Sequence, residues 1–423
     1  MKKVNDIILQ KFFEKERWEK AIESGVLKDI DKGELRKLSS PTIRAAMYNA
    51  IVTDNYEIAP PHIALIPKDK PGEFREVYIN ENVDRLFLSI ANDILFEMFP
   101  SMIHPSCKSY QKGIGCGKIV QQVSKTICDT KGDIIGWKSD LSKYFDTVPR
   151  EFIDCVFDRI ELMAGKSKII GILRKYYHTD LCFDVMGELT FRYQSLKQGC
   201  AVASFLANVI LYDIDNALSK LDGYYVRYSD DCLFVGPDYQ TAMQIMQKML
   251  NLMRMQLNPK KVEYLTADHW FKFLGFAIKG DQISLSRNRI KSFQKEIELR
   301  TIKKQTTPQK ALNSVNQFLY RGDGIYSWAT SVLPIINSNE DIDELNKFVM
   351  DCLRAVATDK KKIGGLGYES HKPNGVITRG TGRNVTANKQ KTEKDIQGYY
   401  SITCMRNALL TNRAAYEALI RQM

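Results

Sequence analysis

The feature that most constrains this chain is a pair of adjacent carboxylates at the centre of an apolar segment. Asp230 and Asp231 lie within residues 224–235, where aromatic and aliphatic side chains otherwise predominate. An apolar, strand-like segment with a short polar centre predicts a β-hairpin with the two aspartates at its tip. Two carboxylates held side by side repel each other unless a cation lies between them. The segment therefore predicts a hairpin that presents a cation site.

A third aspartate ends another segment with the pattern of a buried strand. Asp140 is the last residue of this segment, residues 134–140. If the strand neighbours the hairpin, three carboxylates together would form an oxygen site for Mg²⁺. Two such ions about 4 Å apart can hold the attacking and leaving oxygens of a phosphoryl transfer. An Asp-Asp pair alone is more often ordinary turn chemistry, so the rest of the chain has to decide.

Length and charge narrow the class of protein. A chain of 423 residues predicts two or three domains, and 44% apolar with 26% charged residues predicts that they fold. The net charge is +11, and residues 285–395 hold 20 Lys and Arg against 12 Asp and Glu. This balance favours a phosphate-bearing partner such as nucleic acid, bound largely through the last third. A basic surface that serves only solubility is the alternative.

Other patterns oppose several classes of protein. The nine cysteines are scattered without a Cys-x-x-Cys pair, and the five histidines do not cluster near them, which opposes a zinc site or a disulfide framework. No apolar run reaches the roughly 18 residues of a membrane span. Charged residues soon after the N-terminus oppose a signal peptide. We therefore expect reduced thiols, a cytoplasmic location and no membrane partner.

Hydrophobic periodicity predicts a mixture of helices and strands. Strands are expected over residues 62–66 and 76–79 around a turn rich in Pro and Gly, and again on both sides of Asp230. Helices are expected over residues 85–98, after Pro149, and around the methionine-rich stripe 242–253, which we interpret as core. Residues 358–395 hold six glycines and predict a long loop.

These segments and several motifs follow one another in a recognisable order. The order resembles the fingers, palm and thumb of a reverse transcriptase, most closely the bacterial retroelement and group II intron type, over about residues 63–276. The resemblance implies an α+β, right-hand polymerase fold with an antiparallel palm sheet. It implies an N-terminal helical extension over 1–56, fingers and palm over 57–283, and a helical thumb with a basic C-terminal region over 284–423.

The resemblance also implies roles for the carboxylates. The catalytic residues would be Asp140, Asp230, Asp231 and Lys261. The three aspartates would hold Mg²⁺, with Mn²⁺ as a possible substitute, and Leu141 is a further candidate metal ligand. Lys261, with Lys260 as second choice, would protonate the leaving pyrophosphate as a general acid.

A second group of residues would bind the incoming nucleotide. The basic side chains of the fingers turn, Lys68, Lys70 and Arg75, would close on the triphosphate. Gln198 and Gly199 match the second palm motif, in which glycine allows close backbone approach. The chain departs from the family there, since Ala203 and Ser204 stand where Ser-Pro is common.

Phe145 lies five residues beyond Asp140. In the family an aromatic ring at this position packs under the sugar and collides with a ribose 2′-hydroxyl. The resemblance therefore implies selection of deoxynucleotides. The alternative is that Phe145 is ordinary core.

Four residues are expected to contact nucleic acid: Lys112 in segment 109–113, Tyr228 beside the paired aspartates, and Arg287 and Arg289 on a predicted helix of the thumb. The basic side chains would follow the phosphate backbone. A charged, solvated helix face is an equally good interpretation of the two arginines.

Within the family, the sequence has no nuclease-like His-Asn-His cluster and no Val-Thr-Gly signature of retron enzymes, and it keeps Gln-Gly, from which diversity-generating enzymes depart. It is most similar to the stand-alone "unknown group", with type 2 defence systems as the specific hypothesis. Many such enzymes are implicated in antiphage defence and copy a structured noncoding RNA into cDNA from dNTPs.

Two alternatives remain open. An RNA-dependent RNA polymerase shares the palm carboxylates but usually lacks the aromatic gate. A non-enzymatic RNA-binding splicing chaperone of the same fold would not need all three aspartates. Their joint presence favours an enzyme, while the oligomeric state stays open.

Overall fold

A computed structural model describes the chain over residues 6–23, 27, 30–68, 72–111, 113–303, 306–323, 326–357 and 398–422. Over these residues the protein is α+β, with mainly antiparallel sheets in the first two thirds and helices at both ends. The expected fold class is confirmed. Most of the glycine-rich segment 358–395 lies outside the described residues.

The described strands are β1 (His62–Pro67), β2 (Phe74–Ile79), β3 (Gly136–Asp140), β4 (Leu181–Phe183), β5 (Leu189–Phe191), β6 (Tyr224–Tyr228), β7 (Asp231–Val235), β8 (Glu263–Leu265), β9 (Phe271–Phe273), β10 (Phe276–Lys279) and β11 (Gln282–Leu285). They form three sheets, with strand orders β2-β1-β4-β5, β6-β7-β3-β8 and β11-β10-β9.

The described α-helices are α1 (Ile7–Phe12), α2 (Lys15–Glu23), α3 (Lys32–Leu38), α4 (Pro41–Val52), α5 (Asn82–Met98), α6 (Cys116–Asp129), α7 (Tyr144–Thr147), α8 (Arg150–Ala164), α9 (Lys168–His178), α10 (Ala203–Val209), α11 (Tyr212–Leu218), α12 (Tyr239–Leu252), α13 (Arg287–Arg300), α14 (Pro308–Asn316), α15 (Trp328–Val332), α16 (Asn339–Ala357), α17 (Ile402–Thr411) and α18 (Arg413–Gln422). A 3₁₀ turn follows α5 at Pro100–Met102, and a π-helical turn follows α14 at Gln317–Arg321.

The chain divides into two compact units. One comprises Met1–Lys112 and Gly136–Tyr264, and the other comprises Gly113–Ile135 and Leu265–Met423. The boundaries predicted after residues 56 and 283 describe polymerase subdomains and not these units, and they stay predictions.

The sheet β6-β7-β3-β8 of the first unit carries the predicted carboxylates. Strand β7 pairs antiparallel with both β3 and β6, and the side chains of Trp137, Leu233 and Phe234 are fully buried. At Gly136 an added Cβ would lie 2.1 Å from the carbonyl oxygen of Phe234, so only glycine lets β3 approach β7 this closely. Apolar burial on the sheet therefore fixes the register of the strands that end at the aspartates.

Helices of the first unit bury the sheet and one another in a single large core. Helix α8 begins directly after Pro149, as predicted, because proline's fixed backbone angle suits a helix start. Helix α12 buries Met246 together with Ala242 and Leu250, so the methionine stripe is core, also as predicted. Helix α5 begins at Asn82, three residues earlier than the apolar pattern indicates.

A second sheet of the first unit contains the predicted hairpin β1–β2, with β4 parallel to β1. Ile63, Tyr78 and Cys182 form a small buried cluster on one face. The tip of the hairpin, residues 69–71, is outside the described residues, so Lys70 cannot be placed.

In the second unit, α6 packs against β10 and β11, and the Ser124 hydroxyl donates a hydrogen bond to the Gly280 carbonyl oxygen at 2.7 Å. Helices α13–α18 make up most of the rest. Across the described residues, every helix is too short or too polar to cross a membrane.

Candidate active site

The predicted carboxylates meet at one end of the sheet β6-β7-β3-β8, which corresponds to the predicted palm sheet. Antiparallel pairing sets Asp140, the last residue of β3, opposite Asp231, the first residue of β7. Tyr228 also faces Asp231, which leaves Ser229 and Asp230 as the two residues of the hairpin turn. Ser229 has a φ of +59°, a left-handed conformation that few non-glycine residues adopt. The backbone N–H of Leu141 donates to the Asp230 carbonyl oxygen at 3.2 Å, which joins β3 directly to the turn.

A loop after α12 brings Lys261 to the same place. The Asn258 N–H donates to the Asp140 carbonyl oxygen at 2.9 Å, and the Lys261 N–H donates to the Asn258 carbonyl oxygen at 2.9 Å. The Lys261 ammonium, whose side chain is 61% exposed, forms an ion pair with Oδ2 of the buried Asp140. Burial disfavours the charged ammonium, but this hydrogen bond and the attraction of the three carboxylates outweigh it and raise the pKa of Lys261.

The carboxylates themselves repel one another. Desolvation, and with it the charge of Asp140, raises the pKa of Asp230. Desolvation of the Asp231 carboxylate, with repulsion by Asp230 and Asp140, raises its pKa to about 6. Lys261 acts in the opposite direction on both groups. The cluster therefore carries more negative charge than its one bound lysine neutralises.

This excess charge suits a divalent cation. Asp140 Oδ1 is buried and finds no hydrogen-bond partner among the described residues, so it is an oxygen without a ligand. As the side chains stand, no three His, Cys, Asp or Glu residues of the described chain surround a common metal position. The Lys261 ammonium already binds the other oxygen of Asp140. Carboxylate oxygens are ligands that Mg²⁺ and Mn²⁺ prefer. Asp140, Asp230 and Asp231 as the metal ligands, with Leu141 as a further one, stay predictions.

The charge of Arg75 offsets part of the rise in the pKa of Asp230 that desolvation causes. It is exposed on β2, opposite Ile66 of β1. Lys68 is also exposed, and its N–H donates to the Glu73 carbonyl oxygen at 2.8 Å. Arg75 is thus a described cation of the β1–β2 hairpin whose charge acts on a carboxylate of the cluster.

Phe145 lies on the short helix α7, which begins four residues after Asp140. Its carbonyl oxygen accepts a hydrogen bond from the Leu196 N–H at 3.0 Å, while its ring is half-buried against the core. The neighbouring Tyr144 is buried and donates from its hydroxyl to the Ala207 carbonyl oxygen at 2.9 Å. Tyr144 therefore anchors the helix, and Phe145 is only partly covered by the core.

Gln198 and Gly199 contact the sheet β2-β1-β4-β5, which contains the predicted fingers hairpin, through the backbone. The Tyr78 N–H donates to the Gln198 carbonyl oxygen at 2.7 Å. Gly199 has a φ of +107°, and an added Cβ would lie 2.7 Å from the Tyr78 carbonyl oxygen. Both the conformation and the close approach require glycine here.

The residues expected to contact nucleic acid are dispersed. Tyr228 ends β6 and is half-buried, whereas Lys112 lies outside the described residues. In the second unit, Arg287 is exposed at the start of α13. The Arg289 guanidinium lies 4.5 Å from the centre of the Phe276 ring, and its buried Nη1 has no hydrogen-bond partner among the described residues.

Sequence reasoning missed two fully buried charged residues beneath the turn, Arg227 and Asp215. A signal was available, because an arginine interrupts an otherwise apolar strand and an aspartate lies on the apolar stripe of α11. Tyr110, exposed and with a φ of +57°, brings its hydroxyl within 3.4 Å of the Ser229 hydroxyl. This residue belongs to the segment predicted to contact the template.

A fingers hairpin and a palm sheet with three aspartates at one end define the class of right-hand nucleic-acid polymerases. The chain belongs to the reverse transcriptase (RNA-dependent DNA polymerase) family, whose model matches residues 66–278, just over half of the chain. The family in general uses divalent metal ions and an RNA template.

Telomerase structures are similar to this chain at low identity. Telomerase from Candida albicans, in complex with a TWJ fragment of telomeric RNA, gives a TM-score of 0.45 at 13% identity, covering 72% of this chain and 55% of that one. Apo telomerase from Candida tropicalis gives 0.44 at 13% identity over 75% and 62%, and a form truncated from the C-terminal domain gives 0.41 at 15% over 61% of each. The chain spans 55% to 62% of the length of these structures. A search of curated protein sequences gave no match.

Removal of one carboxylate should weaken binding of a divalent cation. An ion that binds only the folded state stabilises it by about 2.7 kcal/mol at a hundredfold excess over its Kd. We expect Mn²⁺ to raise the melting temperature of the wild type and to raise that of Asp140→Asn much less. Asp213→Asn, which changes an exposed aspartate on α11 of the same unit, is the matched control and should behave as wild type. An equal shift in all three proteins would contradict the assigned cation site.

Proposed function

We propose that this protein is an RNA-directed DNA polymerase that extends a primer 3′-hydroxyl with deoxynucleotides. The observation that carries the proposal is the strand register that sets Asp140 opposite Asp231, with Asp230 in the adjoining turn. Membership of the reverse transcriptase family supports the same reaction. Three carboxylates positioned by paired strands and their turn suit phosphoryl transfer because this chemistry depends mainly on positioning and charge stabilisation.

Each part of the site has a task in this reaction. Asp140, Asp230 and Asp231 would hold the divalent ions, which lower the pKa of the primer hydroxyl and stabilise the leaving pyrophosphate. The raised pKa of Lys261 keeps its ammonium protonated, so it can donate a proton to that pyrophosphate. Arg75, with Lys68 and Lys70 as further candidates, would bind the triphosphate. Gly199 allows the backbone close approach that the nucleotide needs.

Primer extension tests the proposal directly. The double variant Asp230→Ala/Asp231→Ala should lose Mg²⁺- or Mn²⁺-dependent extension of an RNA-templated primer by several orders of magnitude, because it lacks two of the three metal ligands. Circular dichroism and thermal melting should show that it stays folded. Asp213→Ala is the control and should extend as wild type does. Unchanged extension by the double variant would refute the site.

Phe145 is the proposed sugar gate. Its ring is half-buried beside the strand end that carries Asp140, and Tyr144 fixes the short helix behind it. A ribose 2′-hydroxyl pressed against the ring would lose its water without gaining a hydrogen-bond partner. An unpaired hydroxyl costs roughly 1–3 kcal/mol, which is on the order of tenfold to a hundredfold in discrimination.

Phe145→Ala should therefore increase the ratio of ribonucleotide to deoxynucleotide incorporation by about tenfold or more, while the carboxylates remain intact. The measurement is kcat/KM for one base in both sugar forms. Phe152→Ala is a matched control, since Phe152 is also half-buried against the same core but lies on α8. An unchanged ratio in an active Phe145 variant would make the residue ordinary core. A wild type that prefers ribonucleotides would favour an RNA-dependent RNA polymerase.

We further propose that the template is a structured noncoding RNA, copied into cDNA in the cytoplasm of a bacterium, in antiphage defence of the type 2 kind. The support is the resemblance of the motifs to stand-alone bacterial enzymes and the net charge of +11, concentrated in the last third. A structured RNA can hold template and initiating end close together and so avoid a bimolecular encounter.

Cross-linking the protein to RNA in its host, followed by sequencing, should then enrich one RNA encoded beside its gene. The Asp230→Ala/Asp231→Ala variant should bind this RNA but produce no cDNA and give no protection against phage. A random spread of transcripts would contradict the specific template. An RNA-bound wild type that makes no product would favour a splicing chaperone.

A further inference from the structure

Arg227 lies in the middle of β6 with no exposed surface, and Asp215 of α11 is equally buried. The two form a bidentate pair: Arg227 Nε donates to Asp215 Oδ1 at 2.8 Å, and Nη2 donates to Oδ2 at 2.6 Å. A fully buried ion pair is costly unless its remaining donors and acceptors are also satisfied. The other N–H groups of the guanidinium therefore also need hydrogen-bond acceptors.

All three remaining N–H groups of Arg227 donate to backbone carbonyl oxygens. Nη1 donates to Ser229 at 3.0 Å and to Ala207 at 3.3 Å, and Nη2 donates to Asn208 at 2.9 Å. Arginine has five N–H donors in a fixed plane, and each of them has a partner here. Lysine could not replace this pattern, because it has only three donors on a flexible chain.

The contact with Ser229 gives this pair a consequence beyond stability. Ser229 adopts a left-handed φ, and its carbonyl oxygen belongs to the peptide that leads into Asp230. The next carbonyl oxygen, that of Asp230, accepts from the Leu141 N–H. The peptides on both sides of Asp230 are thus fixed, one by Arg227 and the other by the residue after Asp140. Their orientation sets where the carboxylates of the turn point.

We propose that Arg227 is a positioning residue for the Asp230–Asp231 turn and that Asp215 is its anchor. This inference rests on the proposed polymerase function and deepens it. Arg227 touches neither nucleotide nor metal; it acts by holding the Ser229 carbonyl against α10. Displacing a reacting group by about 1 Å can cost on the order of a hundredfold in rate, so a loosened turn would be catalytically poor even in a stable protein.

A purely structural role makes a different prediction. Buried ion pairs can often be replaced by apolar residues of similar size with little loss of stability, or with a gain. The double variant Arg227→Met/Asp215→Leu removes both charges together and leaves no unpaired buried ion. If the pair served only the fold, a stable double variant would also be active.

The decisive experiment measures stability and catalysis in the same proteins. For Arg227→Met/Asp215→Leu we expect a cooperative urea transition near that of wild type and a fall in kcat on the order of a hundredfold. The metal midpoint, which is the Mn²⁺ concentration that gives half-maximal activity, should rise by about tenfold. The KM for the deoxynucleotide should change little. Arg227→Lys keeps the charge but loses the planar guanidinium. Its kcat and metal midpoint should lie between those of the wild type and the double variant. Wild-type kcat and metal midpoint in a folded double variant would overturn the inference.

Tyr225→Phe is the matched control. The Tyr225 hydroxyl donates to Asp215 Oδ1 at 3.0 Å, so its removal weakens the same network without touching the Ser229 carbonyl. We expect a small loss of stability with unchanged kcat and metal midpoint. A Tyr225→Phe variant as inactive as the double variant would mean that activity follows network stability, which would also overturn the positioning role.

Two further outcomes have defined meanings. If the double variant does not fold, Arg227→Lys decides, and wild-type kcat in that variant would overturn the inference. If the wild type itself does not extend a primer, the proposed function fails. Mn²⁺ affinity measured by electron paramagnetic resonance then tests the positioning role separately. We expect Arg227→Met/Asp215→Leu to bind Mn²⁺ about tenfold more weakly than the wild type. Equal Mn²⁺ binding in the two proteins would overturn the positioning role.

Discussion

The antiparallel register of β3 and β7 is the constraint on which the rest of the site depends. Side chains alternate along a strand, so a slip of one residue would separate the Trp137 ring from the Phe234 ring opposite it and move Asp140 away from Asp231. The apolar interior of the sheet thereby fixes the position of carboxylates that repel one another. Hydrophobic burial a few residues away therefore contributes free energy that holds these carboxylates together.

The end of α10 is where the parts of the site are joined. The Ala207 carbonyl oxygen accepts from Arg227, which supports the catalytic turn, and from Tyr144, which anchors the helix of Phe145. The adjacent Asn208 side chain donates to the Ser109 carbonyl oxygen at 2.8 Å, and its own oxygen accepts from the Ser109 hydroxyl at 2.6 Å, which fixes the segment that carries Tyr110. The residues proposed for metal binding and sugar selection, and the segment proposed to contact nucleic acid, therefore share one buried polar support.

Local pattern was enough to predict the hairpin around Asp230, the strand that ends at Asp140 and the core face of α12, because periodicity and turn chemistry are properties of neighbouring residues. The partners of Arg227 were not predictable in this way. A charged residue in an apolar strand signals that a partner exists, but only the tertiary fold decides that it is Asp215. The resemblance to the family predicted Lys261 for the site, but its ion pair with Asp140, 121 residues away along the chain, also depends on the tertiary fold.

Lys261 also explains how a folded chain tolerates this cluster of carboxylates. Asp140 is buried, and removing an isolated carboxylate from water is far more costly than burying a paired one. The ammonium of Lys261 provides the pairing charge from a side chain that is mostly exposed. The alternative, a lysine as buried as Arg227, would tie the carboxylate permanently. Arg227 and Lys261 therefore differ in burial: Arg227 is enclosed and holds backbone carbonyl oxygens, while Lys261 is mostly exposed and pairs with the carboxylate of Asp140.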